Sequence, residues 1–255
     1  MTLAGRRLLV PVTAARRAFA EDLAAEGADV TQVEFIAIGG PADPAALEAA
    51  TLAWVAGDYA WLAVTSRNAL LAMDRIARAR GRTLAEPQPA ARVATVGEAT
   101  LGVCASLGLE VALVPEGRAD ARGIVADFPE GSGRVLAPLG NLASPVLARG
   151  LGRKGWQVDV VEAYRTVDGP GPDDATVAEV AAGAFDAVLL TAGSVAERFA
   201  VTCPQVGPGT RVVAIGRTTE AGARAAGLTV DAVAASPTYG GIRAALDAAL
   251  GQEAS

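Results

Sequence analysis

The sequence predicts an α/β protein with two similar lobes, each a parallel β-sheet flanked by helices. Three observations carry that expectation. Runs of Val, Leu, Ile and Ala alternate with amphipathic stretches of helical period, the pattern of βαβ units. The alternation occurs twice, in the same order. Most of the helical stretches stop at a glycine, at Gly27, Gly81, Gly108, Gly155 and Gly227, where a left-handed terminal residue is favoured.

The elements can be taken in order. "GRRLLVPV" (5–12) is a strand, followed by a helix over 14–26 and the strand "ADVTQVEFIAI" (28–38). Its counterpart is "GRVLAPLG" (133–140), a helix over 142–154 and "WQVDVVEAYRTV" (156–167). The second pair is "DYAWLAVTSRNAL" (58–70), leading into a helix over 67–80, against "FDAVLLTAGSVAERF" (185–199), with a helix over 194–201. The third pair is the closest match, "RVATVGEATLGVCASLG" (92–108) against "RVVAIGRTTEAGARAAG" (211–227). Their helices cover 99–107 and 218–226, and each runs on into a strand, "LEVALVPE" (109–116) and "LTVDAVAAS" (228–236). Further helices are expected near 44–56, 173–183 and 240–250, with Pro- and Gly-rich linkers at 39–44, 85–92, 168–174 and 203–209. Three element types recurring in order indicate duplication of one unit. The repeat taken alone would be satisfied by a tandem cut near residue 130.

A chain of 255 residues, 51% hydrophobic, has room for two cores. Its net charge of −6 argues against nucleic-acid or acidic-membrane partners, yet leaves room for a small anion held by a few local donors. Cys104 and Cys203 have neither metal nor disulfide spacing, which fits a reduced, cytoplasmic setting. The N-terminal apolar run "LLVPV" is too short for a signal peptide or a membrane span.

There is no histidine. Ser-His-Asp and Cys-His nucleophiles, most zinc sites and the usual general base near neutral pH are thereby excluded. Neither "GEATLG" nor "GRTTEAG" is a nucleotide fingerprint. No cofactor and no metal is expected.

In open parallel sheets, ligands bind beyond the carboxyl ends of the strands. The segments leaving those ends are "TSRN" (65–68), "GEAT" (97–100), "LGN" (139–141), "TAGS" (191–194) and "GRTT" (216–219). Helix-start N–H groups there are ready carboxylate or phosphate sites. Thr100, Thr218 and Thr219 can equally be plain N-caps that satisfy those groups themselves. Tyr164, in "VVEAYRTV", brings a dissociable proton to a strand end, and packing and functional roles for it both stay open. Trp54, Trp61 and Trp156 fall in patterns that read as core.

"VEAYRT", "VTSRNAL" with "VATVGEAT", "AVLLTAGS" with "VVAIGRTT", and the tail "ASPTYGGIRAAL" together resemble uroporphyrinogen-III synthase over nearly the whole chain. The resemblance implies two α/β lobes joined by a two-stranded connector, one made of residues 1–36 plus 168–255 and the other of 38–165. It implies a cyclising lyase acting on hydroxymethylbilane, a linear tetrapyrrole with eight carboxylates. Loss of the terminal hydroxyl gives an azafulvene, ring D closes to a spiro intermediate, and the chain recloses with ring D inverted as uroporphyrinogen III. By position, Tyr164 matches the tyrosine that assists departure of the hydroxyl. Thr65, Ser66, Asn68, Gly97, Thr100, Gly140, Ser194, Gly216, Arg217, Thr218 and Thr219 fall on the substrate-binding loops, with Arg67 and Arg122 as further local cations. The resemblance also implies a monomer, and leaves open a transient contact with the preceding enzyme of the pathway. There are three departures: "VPVTAARR" stands where the family often has Val-Thr-Arg-Pro, with either Pro11 or Thr13 at the matching place, an arginine common near "PLGN" is missing, and Ala192 replaces a hydroxyl usual in the second loop. The alternative from another class is a two-lobed binding or regulatory module that closes on a small anion without chemistry.

Overall fold

A computed structural model describes residues 2–12 and 17–251. The first part of the chain forms β1 (Arg7–Pro11), α1 (Arg17–Ala25), β2 (Asp29–Val33) and β3 (Ile36–Gly39). There follow α2 (Pro44–Ala56), β4 (Trp61–Val64), α3 (Arg67–Ala79), β5 (Arg92–Thr95), α4 (Glu98–Ser106), β6 (Val111–Leu113) and α5 (Ala121–Asp127). Next come β7 (Arg134–Gly140), α6 (Val146–Arg153), β8 (Gln157–Asp168), α7 (Asp174–Ala182) and β9 (Ala187–Leu190). The chain closes with α8 (Gly193–Thr202), β10 (Arg211–Ala214), α9 (Arg217–Ala225), β11 (Ala232–Val233) and α10 (Tyr239–Leu250).

Contacts divide the chain into two compact units, Met1–Ala37 with Val167–Ser255, and Ile38–Thr166. The chain passes between them within β3 and within β8. The first unit holds a sheet ordered β11-β10-β9-β1-β2, the second a sheet ordered β3-β8-β7-β4-β5-β6. The repeats are therefore interleaved. β1, from the first repeat, pairs in parallel with β9 of the second (Leu8 opposite Ala187), while β7, from the second, pairs with β4 of the first (Val135 opposite Trp61). Each sheet takes its opening strand from one repeat and the next two from the other, so a tandem cut near residue 130 does not describe the molecule.

The strands are near-continuous apolar runs because both faces are covered. Side chains alternate across β1: Leu8 and Val10 face a cluster with Ala20 and Leu23 of α1 and Ile242 and Leu246 of α10. Leu9 points the other way, to Val180, Phe199 and Ala223 of α7, α8 and α9. In the second unit Leu62 and Leu136 join Trp54, Leu70 and Cys104 of α2, α3 and α4, while Trp61 and Val135 face Ile124 and Leu147 of α5 and α6. Each fully buried Leu contributes about 1.5–3 kcal/mol from removal of its surface from water. Trp54 and Trp61 are core residues, and Trp156 packs at the edge of its cluster.

Four expectations are corrected. The strand expected over 28–38 is two strands in different sheets. The chain turns out at Glu34 and Phe35, whose carbonyls accept the N–H groups of Gly171 (3.1 Å) and Gly169 (3.0 Å), while Phe35 buries its ring edge-on against Phe199. A Cβ at Gly169 would lie 2.0 Å from the Glu34 carbonyl oxygen, so that crossing needs glycine. A helix not expected, α5, follows Asp120, whose carboxylate accepts from the N–H groups of Arg122 and Gly123. The helix expected over 142–154 starts only at Val146, after a turn closed by Ala143 N–H to the Gly140 carbonyl. The strand expected over 228–236 shortens to Ala232–Val233. The helix expected over 14–26 is described from Arg17 onward, residues 13–16 lying outside the described residues.

Candidate active site

Along the second unit's sheet the order β8-β7-β4-β5 lines up four parallel strands. The carboxyl ends of β7, β4 and β5 carry, in turn, Gly140, the Thr65–Asn68 turn and the Gly97–Thr100 turn, while Tyr164, expected at a strand end, lies inside β8 and reaches the same rim because it stands level with Gly140. Strand spacing of about 4.8 Å puts this row on one rim roughly 15 Å long. Strand order reverses between β4 and β7, the switch point at which open α/β sheets form a crevice. In the first unit the matching strands β9 and β10 lie side by side and end at Ser194 and at Gly216–Thr219. Sequence reasoning thus named residues that the fold gathers on one rim of each unit.

The local turns differ from expectation. The N-caps of α4 and α9 are Gly97 and Gly216, with no side-chain cap hydrogen bond. Thr100 and Thr219 are the third helical residues and are buried, so they are not caps; Thr218 stays exposed. Gly97 has φ 72° and ψ 145°, a conformation that needs glycine, whereas Gly216 at φ 167° is simply extended. The N-terminus of α8, where Ser194 is the second residue, is likewise uncapped, its N-cap being Ala192. Ser66 behaves otherwise: its hydroxyl caps α3 by accepting from the Asn68 N–H at 3.2 Å. The Gly216 turn of the first unit opens on a cavity of about 710 Å³, walled by Gly216–Glu220 and Val233–Pro237.

Arg67, Arg122 and Arg217 all sit in the first turn of a helix, α3, α5 and α9. None forms an ion pair among the described residues, while most other arginines do, such as Arg6 with Asp186 and Arg134 with Asp159. A cation at a helix N-terminus opposes the macrodipole at a cost of about 0.3–1 kcal/mol. An anion bound there reverses the sign. For Arg67 and Arg217 that placement gains nothing for stability alone, whereas Arg122 follows the Asp120 carboxylate that already caps α5.

Tyr164 stands level with the end of β7, its ring packed onto Gly140. Its hydroxyl makes no hydrogen bond among the described residues. Gly140 serves here to admit that ring: a Cβ would lie 2.6 Å from Cζ. The next residue, Asn141, falls in the strand-end segment "LGN" without a role of its own, and it bonds directly to the backbone around Tyr164. A polar residue directly after a strand end is the signal that could have found it. Burial pushes both thiols, Cys104 and Cys203, up to about 11, which removes them as nucleophiles. Among the described residues no cluster of His, Cys, Asp or Glu could hold a metal ion, and no helix is long and apolar enough to cross a membrane.

The described residues define an α/β protein of two units, each with uncapped helix starts on one rim and the second with a tyrosine beside its rim, and among them there is neither a nucleotide loop nor a nucleophilic triad. The chain belongs to the uroporphyrinogen-III synthase family: the family model described as uroporphyrinogen-III synthase HemD matches residues 17–244. Members of that family are cyclising lyases of tetrapyrrole synthesis. Among solved structures, a mutant uroporphyrinogen III synthase from Thermus thermophilus is 18% identical, with 98% of this chain and 100% of that chain covered and a TM-score of 0.72. The wild-type enzyme from the same organism is 19% identical, covered to 98% and 100%, at a TM-score of 0.55. The Helicobacter pylori 26695 synthetase is 16% identical, covered to 97% and 100%, at 0.62. At these identities the likeness shows a shared fold. No curated protein sequence matches the chain.

Proposed function

We propose that this chain cyclises hydroxymethylbilane to uroporphyrinogen III through the rim residues described above, with Tyr164 as the proton donor. Arg67 and Arg217, which open α3 and α9 and form no ion pair among the described residues, carry the reading, because that placement gains from a bound carboxylate and costs stability without one. The substrate brings eight carboxylates and its own reactive centre. Tyr164 gives a proton to the departing hydroxyl, which leaves as water, and the resulting azafulvene is the electrophile. Attack through ring D, fragmentation and reclosure follow, and the proton lost on aromatisation returns to the Tyr164 phenolate, so that water is the only group released. Closure without inversion is spontaneous in solution, so the protein's main contribution is to hold one geometry. That task suits a histidine-free site built from backbone N–H groups and hydroxyls. The reading also takes residues 1–36 plus 168–255 and 38–165 as the two lobes, acting as a cytoplasmic monomer.

The residues of the rims divide by task. Arg67, Arg217, Thr218 and the open N–H groups of α4, α8 and α9 receive carboxylates. Thr65, Asn68 and Ser194 line the same edges. Turnover of Tyr164→Phe tests the assignment: a general acid is worth roughly 10²-fold or more, so a fall of that order with unchanged folding is expected. Turnover equal to wild type would remove Tyr164 from the chemistry.

A further inference from the structure

The parallel pairing of β7 with β8 advances residue by residue from Arg134 opposite Gln157 to Leu139 opposite Glu162. It then slips, and Gly140 lies opposite Tyr164. Side chains along a strand alternate faces, so an unbroken β8 would point Tyr164 the same way as Val160 and Glu162. The extra residue, Ala163, is absorbed into the core of Leu62, Leu136 and Leu70, and Tyr164 packs against that same cluster. The bulge turns the tyrosine over to the other face of the sheet.

Two residues at the end of β7 hold it there. Gly140 leaves space for the phenol: a Cβ would meet Cζ at 2.6 Å, the hydroxyl oxygen at 2.8 Å and Cε2 at 2.9 Å. The hydroxyl end of the ring therefore lies over the last residue of the strand. Asn141 binds the backbone on both sides of the phenol. Its N–H donates to the Tyr164 carbonyl (3.2 Å), its Oδ1 accepts the Thr166 N–H (2.8 Å), and its Nδ2 donates to the Thr166 carbonyl (3.2 Å). The amide side chain does what one more backbone residue of β7 would do, and so continues the ladder past the bulge.

We propose that Asn141 is a positioning residue for Tyr164: by pinning Thr166 it keeps the β8 bulge in place, and with Gly140 it fixes where the phenol hydroxyl stands. The inference rests on the reading of Tyr164 as proton donor, but its structural half can be measured without activity. The chain has three tyrosines, so 3-fluorotyrosine labelling gives three ¹⁹F lines, and Tyr164→Phe identifies one of them. In Asn141→Ala the Tyr164 line shifts or broadens, while the lines of Tyr59 and Tyr239 stay. Misplacement of an acid by a fraction of an ångström then lowers kcat roughly tenfold, with KM changed less than about twofold. Asn141→Asp keeps the acceptor for the Thr166 N–H and recovers part of the loss. The double variant Asn141→Ala/Tyr164→Phe is no slower than Tyr164→Phe alone, since both act through one group.

A Tyr164 line unmoved in Asn141→Ala overturns the proposal, as does a double variant in which the two losses multiply. A moved line with wild-type turnover in both single variants supports the positioning contact and overturns the catalytic reading of Tyr164. If Asn141→Ala does not fold, the same comparison is made with Asn141→Ser, whose hydroxyl is too short to hold both the N–H and the carbonyl of Thr166, and an unmoved line there again overturns it.

Discussion

Gly193 and Gly222 bring the backbones of α8 and α9 together: a Cβ added to Gly222 would stand 2.7 Å from the Gly193 Cα. The repeat aligns Gly222 with Val103 of the other unit, where no such approach is open. The first unit thus holds two uncapped helix starts side by side, and the departure at Ala192 leaves α8 without a side-chain cap.

Gly222→Ala tests that contact. Overpacking against backbone costs about 1–3 kcal/mol. Thermal unfolding followed by calorimetry should show a lower midpoint, and an unchanged midpoint would mean that the helices part without cost.

The two duplicated turns should respond differently to one substitution. Gly97→Ala forces a Cβ into φ 72°, ψ 145° and costs about 1–3 kcal/mol. Gly216→Ala meets no atom within 4 Å in an extended conformation and should stay within about 0.5 kcal/mol of wild type. Urea titration of both variants makes the comparison.

Arg217→Ala removes a cation from the first turn of α9. Loss of one charge-assisted contact of about 1.5 kcal/mol raises KM roughly tenfold with kcat nearly unchanged, since ground and transition states lose it alike. The wild-type KM should rise with ionic strength more steeply than that of the variant. Steady-state kinetics at two salt concentrations read both effects.

At alkaline pH the first unit should weaken through Tyr239. Its hydroxyl donates to Glu26 at 2.5 Å, beside Arg243, with Asp22 and Asp247 nearby. Desolvation, followed by the bond to Glu26, pushes its pKa up to about 12 from 10.0. Below pH 10 both folded and unfolded chains keep the proton, and the contribution is whole. Between pH 10 and about 12 the unfolded chain releases it and the folded chain does not, so stability falls as pH rises. Tyr239→Phe should flatten that fall in a pH series of melting curves.

Much of this fold is legible in the sequence, because strands buried on both faces read as unbroken apolar runs, as in "VLLT" and "RVVAIG". The interleaving is not, because β4 could complete a sheet with either β1 or β7 and its own residues do not say which. Nor is the break between β2 and β3, which depends on Gly169 receiving the Glu34 carbonyl from far along the chain. For the site, the rim segments could be read from strand ends alone. The G-x-x-T pattern did not reveal that glycine, with no side-chain bond, is the cap and that Thr100 and Thr219 turn inward. Asn141 is legible as a polar residue after a strand end, but its role is not, because its two side-chain bonds go to the backbone of Thr166, which carries no sequence signal.

The isomer of the product tests the central claim most directly. Purified protein is supplied with hydroxymethylbilane as it is made, the products are oxidised, and the porphyrin isomers are separated by chromatography. The account predicts that isomer III rises with the amount of protein until it replaces isomer I. Isomer I alone, in the presence of folded protein, would contradict it.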